Sequence, residues 1–262
     1  MVGKVTPNLF TSIMYPTISL DESGVLKRIL DVFESDEKIT PTQWGDNETV
    51  KIDYDHSEII DRVIEHKASE IYLHRNKAVK YTGKFDTYFS PRSYLDFEFH
   101  KSMPKKFWPI FFEVSDQLAD IVKPRYGVTH IFWPPSIPWE TEHQRYHRWM
   151  NLSAAAVPVK FLPNGPLGVG MRTYFGGHIL EMFGREFLGN TPAVVTELDW
   201  GGIRIDLIEK PWEADFNQLL ENWFRVMEYL ASSGVVAIPS FDEDRMGVSF
   251  CPNSAWQQFL KS

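Results

Sequence analysis

The chain has a single cysteine, Cys251, so it can form no intramolecular disulfide and carries no CxxC pair for zinc or redox chemistry. That usage fits a reducing compartment. It also lacks any run near the ~20 apolar residues that a bilayer-spanning helix needs, and its first residues, Met1-Val-Gly-Lys-Val-Thr-Pro-Asn, hold no apolar leader core. The expectation is a cytoplasmic protein with no membrane partner, in which the sequons at Asn47 and Asn151 are chance matches. Basic residues are in short supply: 27 Lys and Arg face 35 Asp and Glu, for a formal charge of −8. Phosphate neutralisation demands a basic surface, so a nucleic-acid partner is excluded and a basic protein suits better.

Catalytic signatures are equally scarce. There is no Gly-x-Ser-x-Gly elbow, and Cys251 lies in Ser-Phe-Cys-Pro with no histidine nearby in sequence. Gly165, Gly168 and Gly170 form a glycine-rich run, yet Pro166 interrupts it and no Gly-Lys-Ser/Thr follows, so it reads as a loop and not a phosphate cradle. Neighbouring acids at Asp53 and Asp55, and at Asp242, Glu243 and Asp244, read as solvated charge or as an acidic patch for a cationic partner. The most enzyme-like stretch is Glu140-Thr-Glu-His-Gln-Arg-Tyr-His-Arg, where His143 and His147 share a helical face at metal-ligand spacing. Gln144 stands where the metalloprotease pattern puts its glutamate base, and a surface helix of mixed charge explains the same residues. No catalytic residue, metal or cofactor is therefore assigned. A metal-dependent hydrolase using the His143/His147 pair stays as the alternative.

What the chain does have is core material: 43% of its residues are hydrophobic and 15% aromatic, enough to fold without staples. Leu9 to Ser19 reads as a strand leading to Asp21 as N-cap of a helix with Val25, Leu26, Ile29, Leu30 and Phe33 on one stripe. The turn residues around Trp44 predict a loop, and Tyr54 to Glu65 a short helix capped near Asp55 or Ser57. Ile71–Arg75 and Ala78–Thr82 predict a hairpin about Asn76-Lys77, and Leu95, Phe97 and Phe99 alternate with Asp96 and Glu98 as in a half-buried strand. A helix from Ser102 stops before Pro124, followed by a strand over Val128–Trp133.

The second half repeats that order. Gly177 to Phe187 precedes strands Ala193–Leu198 and Ile203–Ile208 across Trp200-Gly-Gly, then a helix from Asp215 to Leu230 ended by Gly234, then a strand over Val235–Ile238. The expected fold class is α+β: two fused lobes, each a mainly antiparallel sheet with helices packed on one face, in a βαββαβ-like pseudo-duplication. Clusters of Pro and Gly place the lobes at 1–135 and 169–262, with a connection over 136–168.

Thr173-Tyr-Phe-Gly-Gly-His-Ile-Leu-Glu-Met-Phe-Gly-Arg-Glu-Phe-Leu, Thr191-Pro192, Trp200-Gly-Gly-Ile-Arg-Ile-Asp-Leu and Pro211-Trp212 together form a recognisable pattern. It resembles bacterial immunity proteins, nearest the immunity protein 52 family and related type VI secretion immunity proteins. The resemblance covers 173–212, and its motifs are those of turns and packing. It implies a cytoplasmic antitoxin that binds a cognate toxin or effector and occludes its active site, with no enzyme activity of its own. Contact surfaces in such proteins vary with the toxin, so the interface candidates rest on charge and exposure: Trp44, Asp46, Asp53 and Asp55, and Trp139, Glu140 and Glu142. A structural subunit of a bacterial assembly is a further alternative.

Overall fold

A computed structural model describes residues 7–90, 93–133, 166, 168–213, 215–236, 238–242 and 247–251. The expected connection over 136–168 falls almost wholly outside these. So do Trp139, Glu140, Glu142, His143 and His147.

The architecture is α+β, built on an open antiparallel sheet of ten strands. The strands are β1 (Leu9–Tyr15), β2 (Gln43–Gly45), β3 (Ile52–Asp53), β4 (Glu70–Arg75), β5 (Tyr81–Asp86), β6 (Leu95–His100), β7 (Tyr126–Phe132), β8 (Arg172–Phe175), β9 (Val194–Glu197) and β10 (Ile203–Asp206). Their order is β3-β2-β4-β5-β6-β1-β7-β8-β10-β9. A separate hairpin pairs β11 (Ile238–Asp242) with β12 (Gly247–Cys251). Six helices accompany them among the described residues: α1 (Ser23–Glu34), α2 (His56–Ile64), α3 (Trp108–Val122), α4 (Gly177–Phe183), α5 (Arg185–Gly189) and α6 (Phe216–Ala231). No helix among the described residues is long and apolar enough to cross a membrane.

The two halves do not form a sheet each. Strand β7 pairs with β1 on one side and β8 on the other, so one hydrogen-bonded ladder crosses the middle of the chain. The expected pseudo-duplication into two lobes is not what the sheet shows; within the single sheet β6 lies beside β1, and β10 beside β8.

Strand alternation decides which face each half buries. Phe10, Phe97 and Phe99 point to one face, where Phe10 and Phe99 meet Phe111 of α3 at 5.7 and 5.3 Å and Phe97 meets Phe33 of α1 at 4.6 Å. Tyr126 and Phe175 point to the other face. There Phe175 meets Phe183 of α4 at 5.3 Å, and Phe187 of α5 stacks on Tyr229 of α6 at 4.6 Å. Helices α1 and α3 thus cover one face of the sheet, and α4 to α6 cover the opposite face further along.

Local chemistry explains several departures from expectation. Asp21 does not cap α1; it accepts from Ser19 Oγ at 2.5 Å, and Glu22 occupies the cap position without a side-chain bond. Asp55 and Asp215 do cap α2 and α6, accepting from the backbone N–H of Glu58 and Gln218 at 2.9 Å each. The expected single segment over 177–187 is two helices, because Gly184 at φ 85° breaks the hydrogen-bond run between α4 and α5. The expected loop around Trp44 contains the short strand β2, which pairs with β3 and β4.

Candidate partner-binding surface

The sequence-predicted acidic region lies at the β3 edge of the sheet. Asp53 is exposed on β3, and Asp55 is exposed beside it as the α2 cap. Asp46 is committed to Arg62 of α2, whose Nη1 donates to it at 2.8 Å. Trp44 is not on this surface. It is 1% exposed, and the Arg62 guanidinium lies over its ring at 5.9 Å. An aromatic among turn residues suggested exposure; pairing of β2 with β4 instead carries it into the core.

Two of the stretches that carried the resemblance, 173–188 and 200–207, meet in space. The indole of Trp200 lies against Gly202 and Gly176, so closely that a methyl group at either position would overlap it. Arg185 Nη2 donates to the carbonyl of Gly201 at 2.5 Å, and Trp212 meets Phe112 of α3 at 5.6 Å. Their chemistry is that of a turn and its anchor.

Under α3 lies an ionic cluster that sequence reading missed. Arg172 Nε donates to Asp206 Oδ1 at 2.5 Å and Arg172 Nη1 to Asp116 Oδ2 at 2.8 Å. Arg204 Nη1 reaches the same Asp116 oxygen at 3.1 Å, and its Nε lies 2.9 Å from Asp206 Oδ2, an ion-pair distance without hydrogen-bond alignment. The Tyr174 hydroxyl completes the set, donating to Asp116 Oδ1 at 2.7 Å. Burial pushes the Asp206 carboxyl up, and Arg172 and Arg204 pull it back. Every charge here has an opposite neighbour, which marks a structural clamp joining α3 to β8 and β10.

One group of metal-ligating side chains occurs among the described residues: Asp31 and Glu34 of α1 with His56 of α2, their ligand atoms within 4.8 Å of one another. Each has a protein partner. Glu34 Oε1 accepts from the Tyr54 hydroxyl at 2.8 Å and lies 2.9 Å from His56 Nδ1, while Asp31 holds Lys27 at 2.7 Å. The group fastens α1 to the start of α2.

Among the described residues, a further polar face is that of β4, β5, β6 and β1 turned away from α1 and α3. The register aligns Tyr72, Lys84, Asp96 and Ile13 in one row and His74, Thr82, Glu98 and Thr11 in the next. Lys84 bridges to Glu70 at 3.1 Å and stands over the rings of Tyr72 and Tyr94 at 5.5 and 5.3 Å. Arg125 stands over Tyr15 in the same manner, at 5.7 Å. Asp96 has no such partner: its Oδ1 is buried without a hydrogen bond, as is Thr11 Oγ1. Burial, then the negative charge of Glu98, push the Asp96 carboxyl up to about 7. At one end of the face the β5–β6 loop presents Tyr88 and Phe89, 48% and 53% exposed. That loop is held by Thr87 N–H on Ser69 and by Ser93 Oγ on the Tyr88 carbonyl, at 3.0 and 2.6 Å.

No family model matches the chain, and no curated protein sequence matches it. The resemblance over 173–212 therefore rests on its own motifs. Among solved structures, the Pseudomonas aeruginosa T6SS protein PA0821 shares the fold, with a TM-score of 0.52 over 86% of this chain and 83% of that one at 13% identity.

Proposed function

We propose that the protein is an immunity protein of a type VI secretion or related toxin system, which neutralises one cognate effector by direct binding and active-site occlusion. The observation that carries the reading is the fold shared with a type VI secretion protein over most of both chains. The immunity-like pattern over 173–212 and the charge of −8 support it independently. So do the two charged clusters at Arg172 and at Asp31 among the described residues, which are engaged in packing. On this reading the protein is a binder, not an enzyme, and works in the cytoplasm.

The test is co-expression. A protein that co-purifies in stoichiometric amount, arrests growth when expressed alone and is harmless alongside this chain would establish the reading. Purified chain carrying tightly bound zinc that a His143→Ala, His147→Ala double variant loses, with no such partner, would overturn it in favour of the hydrolase.

A further inference from the structure

We infer that the outer edge of β9 receives an extended segment of the effector as a further antiparallel strand of the sheet, with an acidic side chain of that segment on Arg225. The inference rests on the immunity reading and names where and how the partner docks.

An open sheet ends in two edge strands, and here they differ in what they offer. β3 is two residues long, whereas β9 is four, Val194-Val-Thr-Glu197, with no proline, glycine or lysine to blunt it. The hairpin fixes which groups look outward. Leu198 N–H donates to the Gly202 carbonyl at 2.9 Å, and Gly201 N–H, at φ 88°, donates to the Leu198 carbonyl at 2.8 Å, a loop closed by a glycine bulge. Hydrogen-bonded pairs alternate along an antiparallel ladder, so Thr196 and Val194 bond to β10, and the N–H and C=O groups of Val195 and Glu197 point away from it. No described strand pairs with them. The edge is reachable, since Val194 is 39% exposed and the Glu197 side chain 75%. Where β9 begins, a groove of about 480 Å³ adjoins it, lined by Ala193, Val194, Leu207, Ile208, Glu209 and Arg225 of α6 among others. The exposed Arg225 guanidinium donates to Asn222 Oδ1 at 2.8 Å and has no carboxylate partner among the described residues, Glu209 included.

These features fit one kind of occupant. In strand addition the main chain supplies affinity, and alternate side chains supply specificity. Val194 stands opposite Asp206, on the side of α3, so a residue added beside Val194 covers apolar surface there. The next residue of the added strand, beside Ala193, turns to the other face, where Arg225 meets it. An apolar residue followed by an acidic one is therefore the matching pair. A second copy of this chain, itself carrying a charge of −8, would bring Glu197 and Asp199 of both copies to one seam, which disfavours self-pairing.

The experiment uses the full chain and the toxic protein that co-purifies with it. Val195→Pro removes an outward N–H and none that bonds to β10, so the free chain should melt near the wild-type temperature while affinity falls about tenfold or more. Arg225→Gln should weaken binding by about threefold and reduce its salt dependence. A further measurement needs no variant: the Val195 and Glu197 amides should exchange hydrogen readily in the free chain and about tenfold or more slowly in the complex. A neutralised toxin bound with both amides still exchanging readily overturns the inference and leaves the immunity reading standing. Absence of any toxic partner removes both. A wild-type dimer that Val195→Pro dissolves would overturn it too, by showing that a second copy occupies the edge.

Discussion

Asp206 and Asp96 are both strand carboxylates held away from water, one beneath α3 and the other on the face that no described helix covers. Around Asp206 stand two guanidiniums, with a second carboxylate and a tyrosine hydroxyl closing the circuit. Around Asp96 the cross-strand ammonium of Lys84 is engaged with Glu70, and the charge of Glu98 adds to the effect of burial. The first arrangement holds two halves of the chain together and gives a partner nothing to use. The second is locally unfavourable, because a desolvated carboxylate oxygen there has no hydrogen-bond donor.

The comparison can be broken most severely at Arg172. An Arg172→Met change leaves Asp206 buried beside a single guanidinium and should cost about 3–5 kcal/mol, read as a fall in the urea midpoint. Adding Asp206→Leu should recover much of that loss, because an apolar pair of similar volume avoids the desolvation penalty. Gly202→Ala tests the neighbouring packing unit. It drives the Trp200 indole off its seat and should cost about 1–3 kcal/mol, with a shift in tryptophan fluorescence.

Asp96 should behave in the opposite sense. Its folded carboxyl, raised to about 7, lies above the unfolded value of 3.8, so its contribution to stability is fully present below about pH 4 and is lost as pH rises through 7. The Asp96→Asn protein should therefore be more stable at pH 8 by roughly 1–2 kcal/mol. It should also lack the part of the pH dependence between 4 and 7 that wild type shows in thermal melts. At Asp55, where a carboxylate only caps α2, Asp55→Ala should cost about 1 kcal/mol. Reversing Asp53 to lysine should change stability by less than about 0.5 kcal/mol.

The elements with strong periodicity were legible from sequence. Leu219, Leu220, Trp223, Met227 and Leu230 mark the buried stripe of α6, and Leu95, Phe97 and Phe99 mark the core side of β6. What local pattern could not supply was the cover on each face. Ile203-Arg-Ile-Asp reads as a strand with charges to solvent, yet α3 lies over that side and leaves Asp206 1% exposed. Asp96 and Glu98 give the same alternation, and there no described helix comes. The ionic clamp was invisible for a related reason: Asp116, Arg172 and Asp206 are separated by 56 and 34 residues, and only the strand order brings them together. Trp44 failed because two short strands formed inside a segment rich in turn residues.

The position of β1 has a consequence for how the chain is made. It sits between β6 and β7, and the Ser12 hydroxyl meets its Thr129 partner across 117 residues of chain. At ~5–20 residues per second, a ribosome leaves β1 without both neighbours for on the order of 10 s. Its N–H and C=O groups stay open to wrong pairing throughout that interval. Assembly of the sheet is thus a late, long-range event that slows folding.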